Sequence, residues 1–262
     1  MRPVVIIQAR MGSSRLPGKV LMPILDKPML WHIVDRLRSR AELADIVVAT
    51  STEAGDLAIV EFCRKWEISC FAGSESDVLD RFYQAALKFG GDPIFRITGD
   101  CPLVDPHLIG RLFKLYQTRD YDHVGIACGA GAIFLEEGRF PDGLDAECFS
   151  FAALEETWKN ADPSSDREHV TPYMWRVPGR FRLGFLKSGK DYSTYRWTVD
   201  NQADLEVVRA IFEALYVPGS PFGHEAVIDF LRQRPDLCKL NSSFLGQEDY
   251  ESVWSPESNK GE

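Results

Sequence analysis

The residues best suited to chemistry form one polar loop, Gln8 to Lys19, directly after the apolar run Val4 to Ile7. The loop combines small residues with three cations, namely Ala9, Gly12, Ser13 and Ser14 with Arg10, Arg15 and Lys19. Small residues let backbone N–H groups approach phosphate oxygens, and cations neutralise charge that these groups alone do not offset. The loop therefore predicts a polyphosphate site, with a solvated basic loop as the alternative. Its spacing matches neither the Walker pattern nor the dinucleotide glycine fingerprint.

Two carboxylates that follow predicted strands supply a second chemical signal. Asp100 comes after the predicted strand Pro93 to Thr98, and Asp200 comes after the predicted strand Tyr195 to Val199. Because ligands of an open parallel sheet bind at the carboxyl ends of its strands, both acids are predicted to face the cationic loop. Two carboxylates beside a phosphate site predict a Mg²⁺ site. The alternative for Asp200 is an N-cap of the helix that follows it.

These groups suit nucleotidyl transfer, in which an acceptor oxygen attacks the α-phosphorus of a nucleoside triphosphate and pyrophosphate leaves. Mg²⁺ held by Asp100 and Asp200 would stabilise the oxygens at the α-phosphorus, while the three loop cations would stabilise the departing pyrophosphate. Arg96, on the strand before Asp100, is predicted to support either a phosphate or that carboxylate. The predicted catalytic residues are Arg10, Arg15, Lys19 and Asp100.

Two other functions stay open from these residues alone. In a nucleotide-sugar-dependent glycosyltransferase, Asp100 would hold the metal of a diphosphate donor, and Arg15 and Lys19 would be dispensable. In a noncatalytic nucleotide-binding protein, the loop would bind a triphosphate without release of pyrophosphate.

Three segments resemble the spore-coat polysaccharide type of cytidylyltransferase, whose relatives activate Kdo and acylneuraminates as CMP-sugars. They are Gln8 to Lys19, Gly99 to Asp105 and Trp197 to Asn201, inside a resemblance that covers Val4 to Leu215. The resemblance implies a Rossmann-like fold of the nucleotide-diphospho-sugar transferase type and a homodimer. It also implies CTP as the nucleotide, and a sugar acid or phosphonate as the acceptor.

The resemblance further implies roles for particular residues. It implies that the backbone near Gln8 and Ala9 and the segment with Asp77 and Arg81 contact the cytidine. With the loop and Arg96, the predicted nucleotide-binding set is Gln8, Ala9, Arg10, Gly12, Ser13, Ser14, Arg15, Lys19, Asp77, Arg81 and Arg96. The implied acceptor-binding residues are Glu147, Arg167 and His169. Without the resemblance, the segment around Asp77 indicates a helix start capped by Ser76 or Asp77, and His169 is equally consistent with a structural role.

Alternating strands and helices must position these groups, and they predict an α/β fold with a doubly wound, mostly parallel sheet. The predicted strands are 4–8, 45–50, 68–71, 93–98, 122–127, 144–148, 181–186 and 195–199. The predicted helices are 29–38, 54–66, 77–89, 106–116, 151–159, 167–175, 202–215 and 224–232. The glycine-rich segment 128–143 breaks this alternation. Phe134, Phe140 and Trp175 are predicted to form a dimer interface, with core packing as the alternative.

Length and composition predict one domain over 1–240, with an insertion or dimerisation region at about 128–190 and a disordered tail over 241–262. The net charge of −9 and pI near 5.2 disfavour a nucleic-acid partner. Six cysteines without paired C-x-x-C spacing predict reduced thiols. The apolar run before the loop is too short for a signal segment or membrane span, so a cytoplasmic location without a membrane partner is predicted.

Overall fold

A seven-stranded sheet organises the part of the chain that the computed structural model describes, residues 2–43, 45–118, 120–129, 138–162 and 164–246. In chain order the strands are β1 (Val4–Gln8), β2 (Pro23–Ile24), β3 (Lys27–Pro28), β4 (Asp45–Ser51), β5 (Ser69–Gly73), β6 (Ile94–Thr98), β7 (His123–Ile126), β8 (Ala146–Phe149) and β9 (Leu183–Leu186). The main sheet has the order β5-β4-β1-β6-β8-β7-β9, and β2 pairs with β3 in a separate hairpin. β8 is antiparallel to both of its neighbours, and the other pairs in the main sheet are parallel. The predicted mostly parallel sheet is therefore confirmed.

Helices cover both faces of this sheet, because its buried strands carry apolar residues on alternate sides. In β1, Val5 and Ile7 join one core while Val4 and Ile6 join the other, and all four are fully buried. The helices are α1 (Met29–Arg38), α2 (Leu57–Lys65), α3 (Val78–Phe89), α4 (Pro106–Gln117), α5 (Phe151–Asn160), α6 (Ser164–His169), α7 (Pro172–Arg176), α8 (Gln202–Leu215), α9 (His224–Gln233) and α10 (Pro235–Asn241). The helices α1, α4 and α8 contribute to the first core, and α3 and α5 contribute to the second. This is the doubly wound arrangement that the alternation predicts.

Two predicted elements are wrong in the second half of the chain. The single helix predicted over 167–175 is two short helices, α6 and α7, separated at Val170, whose φ is 73°. The predicted strand 195–199 is instead an extended segment with one isolated bridge, between Asp142 and Arg196. It does not join the main sheet, because β8 occupies the edge of β6. The hairpin of β2 and β3 and the helix α10 are further differences from the prediction.

The three predicted interface residues differ in where the structure places them. Phe140 is 1% exposed and its ring contacts that of His224, so it belongs to the core and the interface prediction is wrong for it. Trp175 is half-buried in α7, and Phe134 lies outside the described residues.

The last described segment is helical where a disordered tail was predicted to begin. Asn241 ends α10 and is 3% exposed, and its side chain donates to the Arg196 carbonyl at 3.0 Å. The rest of the predicted tail, 247–262, lies outside the described residues. Among the helices that are described, none has the length and apolar character needed to cross a membrane.

Candidate active site

The cationic loop folds back on itself at the carboxyl end of β1. The Met11 carbonyl accepts hydrogen bonds from the N–H groups of Ser13 and Gly18, each at 3.0 Å. Gly18 has a φ of 73°, a conformation that glycine adopts without strain, and it leads Lys19 into a short 3-10 turn. Asp56, which is 3% exposed, accepts the Met11 N–H at 2.7 Å and anchors the loop to the end of β4. The loop therefore stands at the sheet edge where its cations were predicted.

Lys19 joins the two predicted metal ligands. Its Nζ lies 3.0 Å from Asp100 Oδ2 and 2.8 Å from Asp200 Oδ1. The N–H of Val199 donates to the Asp100 carbonyl at 2.8 Å, which holds the segment before Asp200 beside the end of β6. Burial alone would lower the pKa of Lys19, but the two carboxylates raise it overall, so the ammonium stays charged at neutral pH. Three parts of the chain that are distant in sequence thus meet at one point.

Arg196 is the central site residue that sequence reasoning missed. Its side chain is 2% exposed and contacts three carboxylates, Asp142 at 3.1 Å, Asp200 at 2.6 Å and Asp204 at 3.2 Å. The segment with Asp142 lies directly against the segment with Arg196. Only a glycine fits at position 143, whose φ is 93°, because a Cβ there would collide with the backbone of Trp197 and Thr198. The sequence did contain a signal for this cluster. Arg196 lies inside a predicted buried strand, and a buried guanidinium requires acidic partners.

The N-cap of α8 is Asn201, and the capping interpretation of Asp200 is therefore wrong. The Asn201 side chain accepts the Asp204 N–H at 3.0 Å, and the Asp204 carboxylate accepts the Asn201 N–H at 3.2 Å. Asp200 is left to face the cations, with Arg15 Nη2 3.4 Å from its Oδ2 in addition to Lys19 and Arg196.

Arg96 is oriented by an acid behind it. Glu147 accepts from Arg96 Nη1 at 2.7 Å through one oxygen and contacts His123 Nε2 at 3.0 Å through the other. Burial opposes the ionisation of Glu147, but Arg96 and His123 outweigh it and lower its pKa to about 2. Asp145, two residues before Glu147 in the chain, has a raised rather than a lowered pKa. Burial and the charges of Asp100 and Glu147 raise this pKa to about 6.

These side chains surround an open cavity of about 360 Å³. Its wall consists of Gln8, Ala9, Arg10, Gly12, Ser13, Ser14, Arg15, Lys19, Val20, Arg96, Thr98, Gly99, Asp100, Cys101, Asp142, Asp145, His169, Thr198 and Asp200. All eight loop residues of the predicted nucleotide-binding set are present, together with both predicted metal ligands, Arg96 and His169. Cys101 is 3% exposed and burial raises the pKa of its thiol well above the usual value, which suits a buried filler rather than a nucleophile.

Four residues that the resemblance assigned to ligand contacts lie outside this wall. Asp77 is the N-cap of α3 and accepts from Arg167 Nε at 2.7 Å. Arg81 is fully buried and donates to the Ser74 carbonyl at 2.9 Å. Glu147 sits behind Arg96. In this structure these side chains position their neighbours, and a direct contact with a ligand stays a prediction for each of them.

The donor set at the centre of the cavity fits Mg²⁺ when a triphosphate supplies the remaining oxygens. Mg²⁺ prefers oxygen ligands and is usually held by one or two carboxylates, substrate phosphates and water. Asp100 and Asp200 provide two such carboxylates that already converge on one cation, Lys19 Nζ. Within the described residues, no group of three or more His, Cys, Asp or Glu side chains could hold a metal without a ligand's help.

Comparison with known proteins agrees with this geometry. A family model described as cytidylyltransferase matches residues 4–217. An uncharacterized protein of Methanocaldococcus jannaschii is 37% identical over 97% of this chain and 99% of its own length. The spore coat polysaccharide biosynthesis protein SpsF of Bacillus subtilis is 33% identical over 79% of this chain and 85% of its own. The solved structure of a cytidylyltransferase from Leptospira borgpetersenii superposes with a TM-score of 0.82 at 29% identity, covering 91% of this chain and 97% of that one.

Proposed function

Given that this chain belongs to the cytidylyltransferase family, we propose that it transfers CMP from CTP to a sugar acid or related anionic acceptor and releases pyrophosphate. The product is a CMP-activated building block for a surface polysaccharide or glycoconjugate, a role that the name of the SpsF relative supports. The observation that carries the proposal is the meeting of Lys19, Asp100 and Asp200 beneath the cationic loop. This arrangement joins a triphosphate site to a metal site.

In the proposed reaction, the acceptor hydroxyl oxygen forms a bond to the α-phosphorus of CTP and gives up its proton to solvent. The bond from that phosphorus to the bridging oxygen breaks, and pyrophosphate leaves with the electron pair. Negative charge therefore grows on the departing group, and the half-exposed guanidiniums of Arg10 and Arg15 stand where they can neutralise it. Backbone N–H groups of the loop bind the phosphates and fix the α-phosphorus in line with the acceptor.

Asp100 and Asp200 would hold Mg²⁺. When bound, the ion neutralises charge at the α-phosphoryl oxygens. Arg196 orients the Asp200 carboxylate, and the Val199 N–H holds the backbone of Asp100 beside it. Arg96, held by Glu147 in the cavity wall, is a planar cation that matches a phosphate or a carboxylate. His169, in the same wall, completes that part of the cavity.

The decisive assay measures pyrophosphate release with CTP, UTP, GTP and ATP in turn, in the presence of Mg²⁺ and a panel that includes Kdo, acylneuraminates and phosphonates. We expect release with CTP that depends on the acceptor. Release with UTP or GTP but none with CTP would refute cytidylyl transfer. Binding of CTP, seen as thermal stabilisation, without pyrophosphate release for any acceptor would favour a noncatalytic protein.

We also propose a cytoplasmic location and a homodimer. No disulfide joins any of the six cysteines, which is consistent with a reducing compartment. The homodimer remains a proposal from the family resemblance, and a role of Trp175, which is half-buried, in its interface stays a prediction.

A further inference from the structure

One feature of the site is unexpected for a metal centre, because a side chain of the protein occupies its middle. The Lys19 ammonium lies between the carboxylates of Asp100 and Asp200 and contacts one oxygen of each, at 3.0 and 2.8 Å. Its side chain is only 10% exposed, so the contact is shielded from solvent. One oxygen of each carboxylate is therefore already paired with a cation.

A magnesium ion that bridges these two oxygens needs the position that the ammonium now holds. Mg²⁺ binds oxygen at about 2.0–2.1 Å with near-octahedral geometry, so an ion that bridges the two carboxylates lies between them, in the space of the ammonium. The two cations also repel each other strongly at such short range. Removal of the ammonium without replacement is unfavourable too, because it would leave two neighbouring carboxylates without this cation.

A triphosphate offers the ammonium another partner. Lys19 belongs to the cationic loop, whose closure between Met11 and Gly18 places its backbone at the same cavity wall as Arg10 and Arg15. Phosphate oxygens bound by this loop would attract the ammonium away from the carboxylates, and the flexible lysine stem permits the movement. The metal that accompanies the nucleotide can then take the vacated position.

We infer that Lys19 keeps the metal site closed until a triphosphate draws its ammonium away, so that metal binding depends on bound nucleotide. Because coupling between two binding events is reciprocal, the metal also strengthens triphosphate binding by the same factor. The inference rests on the proposed function for the identity of the ligands. It concerns binding alone, so it can be tested without any turnover.

The test measures Mn²⁺ binding to the nucleotide-free protein by the electron paramagnetic resonance signal of the free ion. Lys19→Met removes the charge but keeps the apolar stem, and we expect it to bind Mn²⁺ on the order of tenfold more tightly than the wild type. Lys27→Met, which removes a cation that pairs with Asp26 away from the cavity, is the matched control and should bind like the wild type. Adding Asp200→Asn to Lys19→Met should abolish the gain in Mn²⁺ affinity, which would show that the ion binds at Asp200.

Equal Mn²⁺ affinity of wild type and Lys19→Met would overturn the inference, as would the same gain in Lys27→Met. Should Lys19→Met fail to fold, Lys19→Gln, which keeps hydrogen-bonding capacity without charge, decides by the same criterion. Absence of pyrophosphate release with every acceptor would count against cytidylyl transfer, whereas the Mn²⁺ titration would still report on Lys19.

Discussion

Removal of the Arg196 guanidinium is the sharpest test of how the site is held together. Arg196→Met keeps a long apolar side chain but breaks ion pairs with Asp142, Asp200 and Asp204 in one step. Asp200 retains Lys19 as a partner. The other two acids lose these contacts with side chains that are 9% and 0% exposed, so water replaces the cation only in part.

The expected cost follows from this burial. Breaking a buried ion pair by removing one partner typically costs about 3–5 kcal/mol. Small domains have a free energy of unfolding of roughly 5–15 kcal/mol. The variant should therefore fold, but with a much lower free energy of unfolding than the wild type. Loss of the Arg196 contact also frees the Asp200 carboxylate to change orientation, so we expect turnover to fall as well.

Urea denaturation followed by circular dichroism gives the free energy of unfolding of each variant. Arg232→Met breaks an ion pair with Asp229 whose two side chains are 54% and 70% exposed, and it should change stability by less than about 0.5 kcal/mol. Adding Asp142→Asn to Arg196→Met should restore at least about 0.5 kcal/mol, because one buried charge is neutralised. A loss below about 1 kcal/mol for Arg196→Met, or strictly additive effects in the double variant, would refute this account of the network.

Two further perturbations test the supporting contacts. Glu147→Gln should destabilise the fold by up to about 3 kcal/mol at neutral pH, since Glu147 has a pKa of about 2 in the folded protein and about 4.3 when unfolded. A carboxyl with a lowered pKa contributes stability above its unfolded pKa and loses it as pH falls through the folded value. The difference between wild type and variant in urea denaturation should therefore shrink from pH 5 to pH 2, and a constant difference would contradict the assignment. Asp56→Ala removes the acceptor of the Met11 N–H and should raise the KM for CTP about tenfold with a smaller change in kcat; an unchanged KM would show that the loop holds its shape without this anchor.

Local patterns in the sequence were sufficient for most of the architecture. The bounds of β1, α1 and α8 agree with the prediction residue for residue, because each is set by an apolar period and by end signals within a few residues. The cationic loop and Asp100 were predicted for the same reason, since a strand end and the polar residues behind it are adjacent in the chain.

The prediction failed where neighbours in space are distant in sequence. Tyr195 to Val199 has the composition of a strand, but its backbone pairs with the segment around Asp142 and with the Asp100 carbonyl rather than with the sheet. Glu147 contacts Arg96 across the antiparallel pairing of β6 with β8, a contact that the sequence did not predict, while its assignment to the acceptor stays a prediction.

The amino-acid sequence by itself determined that this chain forms a layered α/β sheet with a cationic loop and acids at one edge. Only the tertiary structure decided which charges meet. Lys19 contacts Asp100 and Asp200, which lie 81 and 181 positions away in the chain. Arg196 contacts acids from two separate segments. Periodicity and capping act over a few residues, whereas an ion pair depends on where two distant backbones pass each other, and that is set by packing of the whole core.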